Sequence, residues 1–251
     1  ILAVNWAPLD TGVSNIKKGV KLISIPFTGV GWIPLKDYSS KGVKIANSPG
    51  YSTEAVAEFG IGLMLSVVRK INSYFKAEPK VETPSTLYGK TLVILGAGRI
   101  AHQVGSIAKS LGMKVIFWKR GEDLIQKIRE ADVLYSALPF SDDTKNLLGV
   151  NEFKSMKKNS YFVTTSHNQI YDHNALLKVL DSNLAGAGID LEGTNTGDYK
   201  AEAYLKLKSH PKILLTPHVA YKTDYALMKG NDMMIDNIDS FVKGKPINIV
   251  N

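Results

Sequence analysis

Gly96-Ala97-Gly98-Arg99-Ile100-Ala101 carries the spacing G-x-G-x-x-G/A, directly after the apolar run "TLVIL" and directly before a helical pattern. The first glycine permits a tight turn and the second lets backbone approach a pyrophosphate. A small residue in the last place keeps the helix against its strand, so the helix N-terminus faces the anion. The motif says little alone, but between strand and helix it points to a dinucleotide, with Arg99 and Ile100 opening the helix. The next strand pattern ends Phe117-Trp118-Lys119-Arg120. A carboxylate there would accept the ribose hydroxyls of NAD; two cations cannot, but they can pair with a 2′-phosphate. Lys119 and Arg120 therefore favour NADP over NAD, the alternative being two side chains that simply face water. Zero cysteines exclude disulfides, thiol nucleophiles and cysteine metal ligands. With no G-x-S-x-G and no close histidine–carboxylate cluster, neither a serine hydrolase nor a metal site is expected.

These residues need a scaffold that carries them at strand ends. Short apolar runs at "ILAVNW", "KLISIPF" and "VKIAN" read as strands, followed by a helix from Glu54 to about Tyr74 that Ser52 or Thr53 can cap. From Lys90 a βαβ unit is followed by strand patterns at "ADVLYSALP", "SYFVTTS", "LAGAGID" and "KILLTPH", with helical stretches between several of them. Strands alternating with helices predict an α/β fold with a doubly wound parallel sheet. Asp224 to Val242 reads as a closing helix, with apolar residues at Ala226, Leu227, Met233, Met234, Ile238, Phe241 and Val242. The segment "AEPKVETPSTLYG" reads as a surface connection.

The 251 residues, 44% hydrophobic, can bury a core in one large or two modest domains. The net charge of +8 is scattered in ones and twos among acids, so a solvated surface is expected and not a nucleic-acid partner. "FGIGLMLSVV" is too short to cross a bilayer core of ~30 Å, so no membrane partner is expected either. The lack of cysteine suits a cytoplasmic location. The chain opens Ile1-Leu2-Ala3-Val4 with neither methionine nor signal peptide, and removal of an N-terminal part is expected.

Several stretches in order resemble the D-isomer-specific 2-hydroxyacid dehydrogenase family. "GVKIANSPGYSTEAVAEFGIGLML" is similar to its hinge and first cofactor-domain helix, "YGKTLVILGAGRIA" to its nucleotide loop, and "ALPFSDDTKNLLG" to its loop beside the cofactor; "NLAGAGID" and "LLTPHVA" complete the series. The resemblance spans nearly the whole chain. It implies a Rossmann cofactor domain over 52–219, and a smaller flavodoxin-like α/β substrate domain built from 1–51 and 220–251. Because the family carries further βα units before its equivalent of "ILAVNW", that domain is expected to be incomplete. A homodimer is implied, as are NADP or NAD as cofactor and a small 2-oxo or 2-hydroxy acid as substrate. Leu138, Pro139, Thr144, Thr165, Ser166 and Asp190 fall at positions implied to line the cofactor.

The family's reaction uses an arginine for the substrate carboxylate, a histidine for the proton and a glutamate to tune that histidine. Thr216-Pro217-His218 matches the histidine motif. Counting back from Asp172 puts His167 at the arginine position, and counting on from Asp190 puts Asn195 at the glutamate position, with Glu192 nearby as a possible substitute. Histidine lacks the five-donor fork of arginine and is cationic only when protonated, so substrate binding is expected to weaken as pH rises. Asn195 can orient His218 without adding charge. Thr28, Gly29 and Val30, within Phe27–Gly31, resemble the loop whose backbone N–H groups receive the carboxylate, although the residues alone equally describe an ordinary turn. Two functions follow: a hydride-transferring oxidoreductase with His218 as acid/base, or a dinucleotide-binding protein, weak or inactive in catalysis, that senses redox state or acts as a scaffold.

Overall fold

The computed structural model describes residues 1–3, 9, 16, 18–31, 33–71, 83–191 and 202–251. In chain order its first elements are β1 (Leu2–Ala3), β2 (Leu22–Ser24), α1 (Leu35–Ser40), β3 (Lys44–Ala46), α2 (Thr53–Val68), β4 (Thr91–Leu95), α3 (Arg99–Ser110), β5 (Lys114–Trp118) and α4 (Leu124–Ile128). There follow β6 (Val133–Ser136), α5 (Val150–Ser155), β7 (Ser160–Thr164), α6 (His173–Leu180), β8 (Leu184–Asp190), α7 (Glu202–Ser209), β9 (Ile213–Thr216) and α8 (Asp224–Val242). The chain divides into two compact units, Ile1–Ala55 with Lys222–Asn251, and Val56–Tyr221. The first division falls inside α2, whose first turn is tied to the smaller unit. The Thr53 hydroxyl donates to the Gly50 carbonyl at 3.1 Å instead of capping the helix, and Glu54 pairs with Lys229 at 3.1 Å.

In the smaller unit β1, β2 and β3 pair in parallel, in sequence order, over a core that includes Ile23, Ile25, Tyr38 and Ile45. The C-terminal segment returns to this sheet. Ser24 Oγ donates to the Met234 carbonyl at 3.1 Å, and Asn237 Nδ2 donates to the Asn47 carbonyl at 2.9 Å. After α8, the Val250 N–H donates to the Ile45 carbonyl at 3.0 Å, beside an antiparallel bridge between Ala46 and Ile249.

The larger unit holds six strands in the order β5-β4-β6-β7-β8-β9, every pair parallel. Side chains alternate across the sheet, and each face has its own core. Val93, Leu95, Leu134 and Phe162 join α5 and α6 residues on one side. Leu92, Ile94, Tyr135 and Val163 join α2 and α3 residues on the other. This is the predicted doubly wound sheet. Strand order reverses between β4 and β6, and ligands of such sheets bind beyond the strands' carboxyl ends at that reversal.

The helix expected to run to about Tyr74 ends at Val68, because Lys70 turns into the left-handed region with φ 51°. Residues 4–6 of the first expected strand and much of the expected 77–89 connection lie outside the described residues. Among the described residues no helix is long and apolar enough to cross a membrane.

Candidate active site

At the strand reversal, β4 ends in a turn through Gly96, where φ is +101°. A side chain there would meet the Ala137 carbonyl at 3.2 Å and Leu138 at 3.3 Å, so the β4 and β6 loops touch only because this position is glycine. The Gly96 N–H donates to the Trp118 carbonyl at 2.9 Å, joining the turn to the end of β5. Gly98 then caps α3 with no side-chain hydrogen bond, no acidic residue occupies the first turn, and a Cβ on Gly98 would project into open space. Helix N–H groups and the positive end of the dipole thus face an open cradle that suits a pyrophosphate. Ala101 is fully buried against the sheet, while Arg99 is exposed and Ile100 half-buried.

Beside this turn the end of β5 differs from its linear reading. Lys119 and Arg120 are exposed, but carboxylates join them. Glu122 folds back so that its Oε2 accepts the Lys119 backbone N–H at 2.8 Å, and Arg120 pairs with Asp143 at 2.8 Å. Two acids that do not close the strand in the sequence, Glu122 and Asp143, thus stand beside its end in the fold.

The loop after β6 carries half-buried Leu138 and exposed Pro139, while Thr144 is buried. The Thr144 hydroxyl donates to the Pro139 carbonyl at 2.9 Å and accepts the Ser141 N–H at 2.8 Å, so it shapes the loop. At the end of β7, Thr165 shares a 2.7 Å hydrogen bond with the Tyr135 hydroxyl. Burial pushes that hydroxyl's pKa up, against the Thr165 bond and with the help of the Asp190 charge, so it stays protonated. Ser166 is buried and accepts from Ser136 Oγ at 3.2 Å.

His167 follows. Its Nδ1 accepts the Gln169 N–H at 3.2 Å, and its ring stacks on Phe140 with centroids 4.4 Å apart and planes at 25°. An accepting Nδ1 puts the proton of the neutral ring on Nε2. Neither Phe140 nor Gln169 carried a sequence signal.

His218 is exposed, in the left-handed region with φ 51°, a conformation seldom adopted by residues with side chains. Asp190, 2% exposed at the end of β8, explains it. One carboxylate oxygen accepts Thr216 Oγ1 at 2.5 Å and the Val219 N–H at 3.0 Å, and the other accepts the Ala220 N–H at 2.8 Å. Asp190 thus holds the Thr216 side chain before His218 and the two backbone N–H groups after it, a positioning task that its place in "AGID" did not reveal. Tyr221 meets the His218 ring edge-on at 5.4 Å. Asn195 and Glu192 lie outside the described residues.

In the smaller unit, Thr28 and Gly29 are exposed and Val30 half-buried. The Thr28 hydroxyl donates to the Ser48 carbonyl at 2.9 Å and accepts the Gly50 N–H at 3.2 Å, and Asn47 Nδ2 donates to the Thr28 carbonyl at 2.8 Å. These bonds fix the loop's shape. Among the described residues no group of three histidine, aspartate or glutamate side chains is placed to hold a metal.

A parallel sheet with an open glycine cradle at its strand reversal, and an exposed histidine clamped at another strand end, defines a dinucleotide-dependent oxidoreductase. Comparison with known proteins narrows the class. Residues 61–220 match the D-isomer specific 2-hydroxyacid dehydrogenase NAD binding domain, so the chain belongs to that family. Glycerate dehydrogenase from Methylorubrum extorquens is 29% identical, over 100% of this chain and 85% of the relative. The NAD-complexed D-isomer specific 2-hydroxyacid dehydrogenase from Lactobacillus delbrueckii ssp. bulgaricus superposes with TM-score 0.84 and 25% identity, over 93% of this chain and 80% of that one. An acyclic imino acid reductase solved with NADPH and D-Arg gives 0.84 and 26%, over 99% and 84%. The protein is an NAD(P)-dependent 2-hydroxyacid dehydrogenase.

Proposed function

We propose that the protein interconverts a small 2-oxo acid and its 2-hydroxy acid, with NADPH favoured over NADH. The bound nicotinamide supplies or accepts the hydride; the chain binds, orients and moves the proton. His218 gives a proton to the carbonyl oxygen during reduction and takes it back in oxidation. His167 donates through Nε2 to the substrate carboxylate, and in the smaller unit the Thr28–Val30 loop is the anion-receiving turn that the family resemblance implies. Gly96, Gly98 and the first turn of α3 hold the pyrophosphate, and Lys119 and Arg120 select the phosphorylated ribose. Leu138, Pro139 and Thr165 line the cofactor, with Thr144, Ser166 and Asp190 shaping that lining from behind.

The observation that carries this reading is the presentation of His218, exposed on a backbone conformation that Asp190 enforces from a buried position. A merely structural histidine would not call for such a clamp. Replacing His218 by alanine should lower kcat by about 10²–10⁴-fold, as expected for loss of a general acid, and leave the cofactor Kd unchanged. An unchanged rate would remove His218 from the mechanism. Asn195 remains proposed as the residue that orients His218.

A further inference from the structure

The reaction uses neither Glu122 nor Asp143, yet both occupy the corner where the cofactors differ. Lys119 follows β5, whose last residue Trp118 accepts the Gly96 N–H of the glycine turn. From there the chain returns within a few residues. The Trp118 indole N–H donates to the Glu122 carbonyl at 3.0 Å, and the Glu122 carboxylate accepts the Lys119 N–H at 2.8 Å. Its second oxygen lies 3.6 Å from Lys127 Nζ. The Lys119 N–H foremost, then the neighbouring lysine charges, outweigh desolvation and hold this carboxyl below its ordinary range, so it is ionised at neutral pH. Asp143, on the loop after β6, reaches the Arg120 guanidinium at 2.8 Å.

Two groups suited to an anion, a backbone N–H and a guanidinium, are thus engaged by carboxylates of the same chain. We infer that Glu122 and Asp143 are specificity-determining residues that restrain the preference for NADPH: a 2′-phosphate must displace both, whereas an unmodified ribose can donate its hydroxyl to Glu122 as it stands. The inference rests on the proposed reading of Lys119 and Arg120 as the phosphate-selecting pair. A phosphate and a carboxylate cannot share one N–H, and their like charges repel at short range. A ribose hydroxyl is a donor, and an ionised carboxylate is the acceptor it needs. The same corner can therefore serve both cofactors, with the phosphorylated one handicapped by the two acids. The Arg120–Asp143 pair is 68% and 69% exposed, so solvent screens it and its competition with a ligand is modest.

Calorimetric titration with 2′,5′-ADP and with ADP isolates this end of the cofactor. Asp143→Asn should bind 2′,5′-ADP about two- to five-fold tighter, the range an exposed ion pair supplies, with ADP unchanged. Glu122→Ala should tighten 2′,5′-ADP and weaken ADP, because it removes the competitor of one and the acceptor of the other. Arg120→Ala serves as the control and should weaken 2′,5′-ADP alone. If Arg120→Ala weakens 2′,5′-ADP but the two acid variants leave both ligands unchanged, or shift them together, the inference fails and the phosphate-selecting reading stands. If Arg120→Ala also has no effect, that reading falls and takes the inference with it.

Discussion

An imidazole and a guanidinium at position 167 would meet a carboxylate in different ways. Guanidinium offers two parallel donors that stay charged, whereas an imidazole whose Nδ1 accepts from Gln169 and whose face stacks on Phe140 has at most one ring N–H to offer, on Nε2. Charge-assisted hydrogen bonds contribute ~1.5–3 kcal/mol and neutral ones ~0.5–1.5, so His167→Arg should raise kcat/KM for a 2-oxo acid by about tenfold, mainly through KM. His167→Ala should lower it. Steady-state kinetics of both variants decide the matter: if neither moves kcat/KM, position 167 does not touch the substrate. The type and place of His167 were legible in "VTTSHNQIYD", but its surroundings were not, since the bond to Gln169 and the stack on Phe140 exist only after the chain has folded. Asp190 gives the same lesson. The motif marks the residue, and only the geometry shows that its oxygens hold the backbone around His218.

Helix α2 presents two glycines, Gly60 and Gly62, on nearly opposite sides, with opposite requirements. At Gly60 an added Cβ would run into the Tyr135 hydroxyl and ring, whereas at Gly62 it would meet nothing within 4 Å. Tyr135 is fully buried and hydrogen-bonded to Thr165, so it cannot give way. Gly60→Ala should therefore destabilise by ~1–3 kcal/mol, as overpacking does. Gly62→Ala should stabilise by ~0.5–1 kcal/mol through helix propensity. Urea denaturation of both variants measures this; equal signs would mean that α2 does not pack on Tyr135 as described. On α6, burial holds the His173 pKa below 6.5, despite the Asn168 carbonyl and the nearby Asp172 charge. A depressed folded pKa means that the unfolded chain takes the proton first. Stability is then complete above about pH 6.5 and falls as pH drops through the unfolded value towards the folded one. His173→Gln should lose less stability than wild type between about pH 7.5 and about pH 5.5, and equal losses would contradict the assignment. Element ends were less legible than element types. Val68 closes α2 because Lys70 reverses the backbone, and the apolar residues Leu227 and Val242 of α8 are 41% and 68% exposed while Ala226 and Gly230 are buried. Close approach at Gly230, where a Cβ would meet the Pro26 carbonyl at 3.0 Å, uses small residues that hydrophobic spacing does not register.

Across the whole molecule, the larger sheet was the most legible part, because strands buried on both faces appear as continuous apolar runs closed by glycine and proline signals. Each expected strand from "TLVIL" onward is found, and their parallel pairing follows from the helices that separate them. The order of the strands was not written in any one segment. It is the reversal between β4 and β6 that brings the Gly96 turn against Leu138 and opens the cradle at Gly98. Likewise Asp143 meets Arg120 only because β5 and β6 flank β4, a pairing of distant residues invisible to local reading. The smaller unit was legible as short strands and a closing helix, while the return of Val250 to Ile45 rests on backbone bonds that carry little residue preference. The assembled groups are proposed to turn over a 2-oxo acid, with His218 moving the proton. The most direct test is oxidation of NADPH and of NADH, followed by absorbance, with glyoxylate, hydroxypyruvate and pyruvate offered in turn to wild type and to His218→Ala. The account predicts turnover of at least one acid by wild type, higher kcat/KM for NADPH than for NADH, and loss of that turnover in the variant. Tight cofactor binding without oxidation by any of the acids would contradict it, and would make the protein a dinucleotide binder that has lost its chemistry.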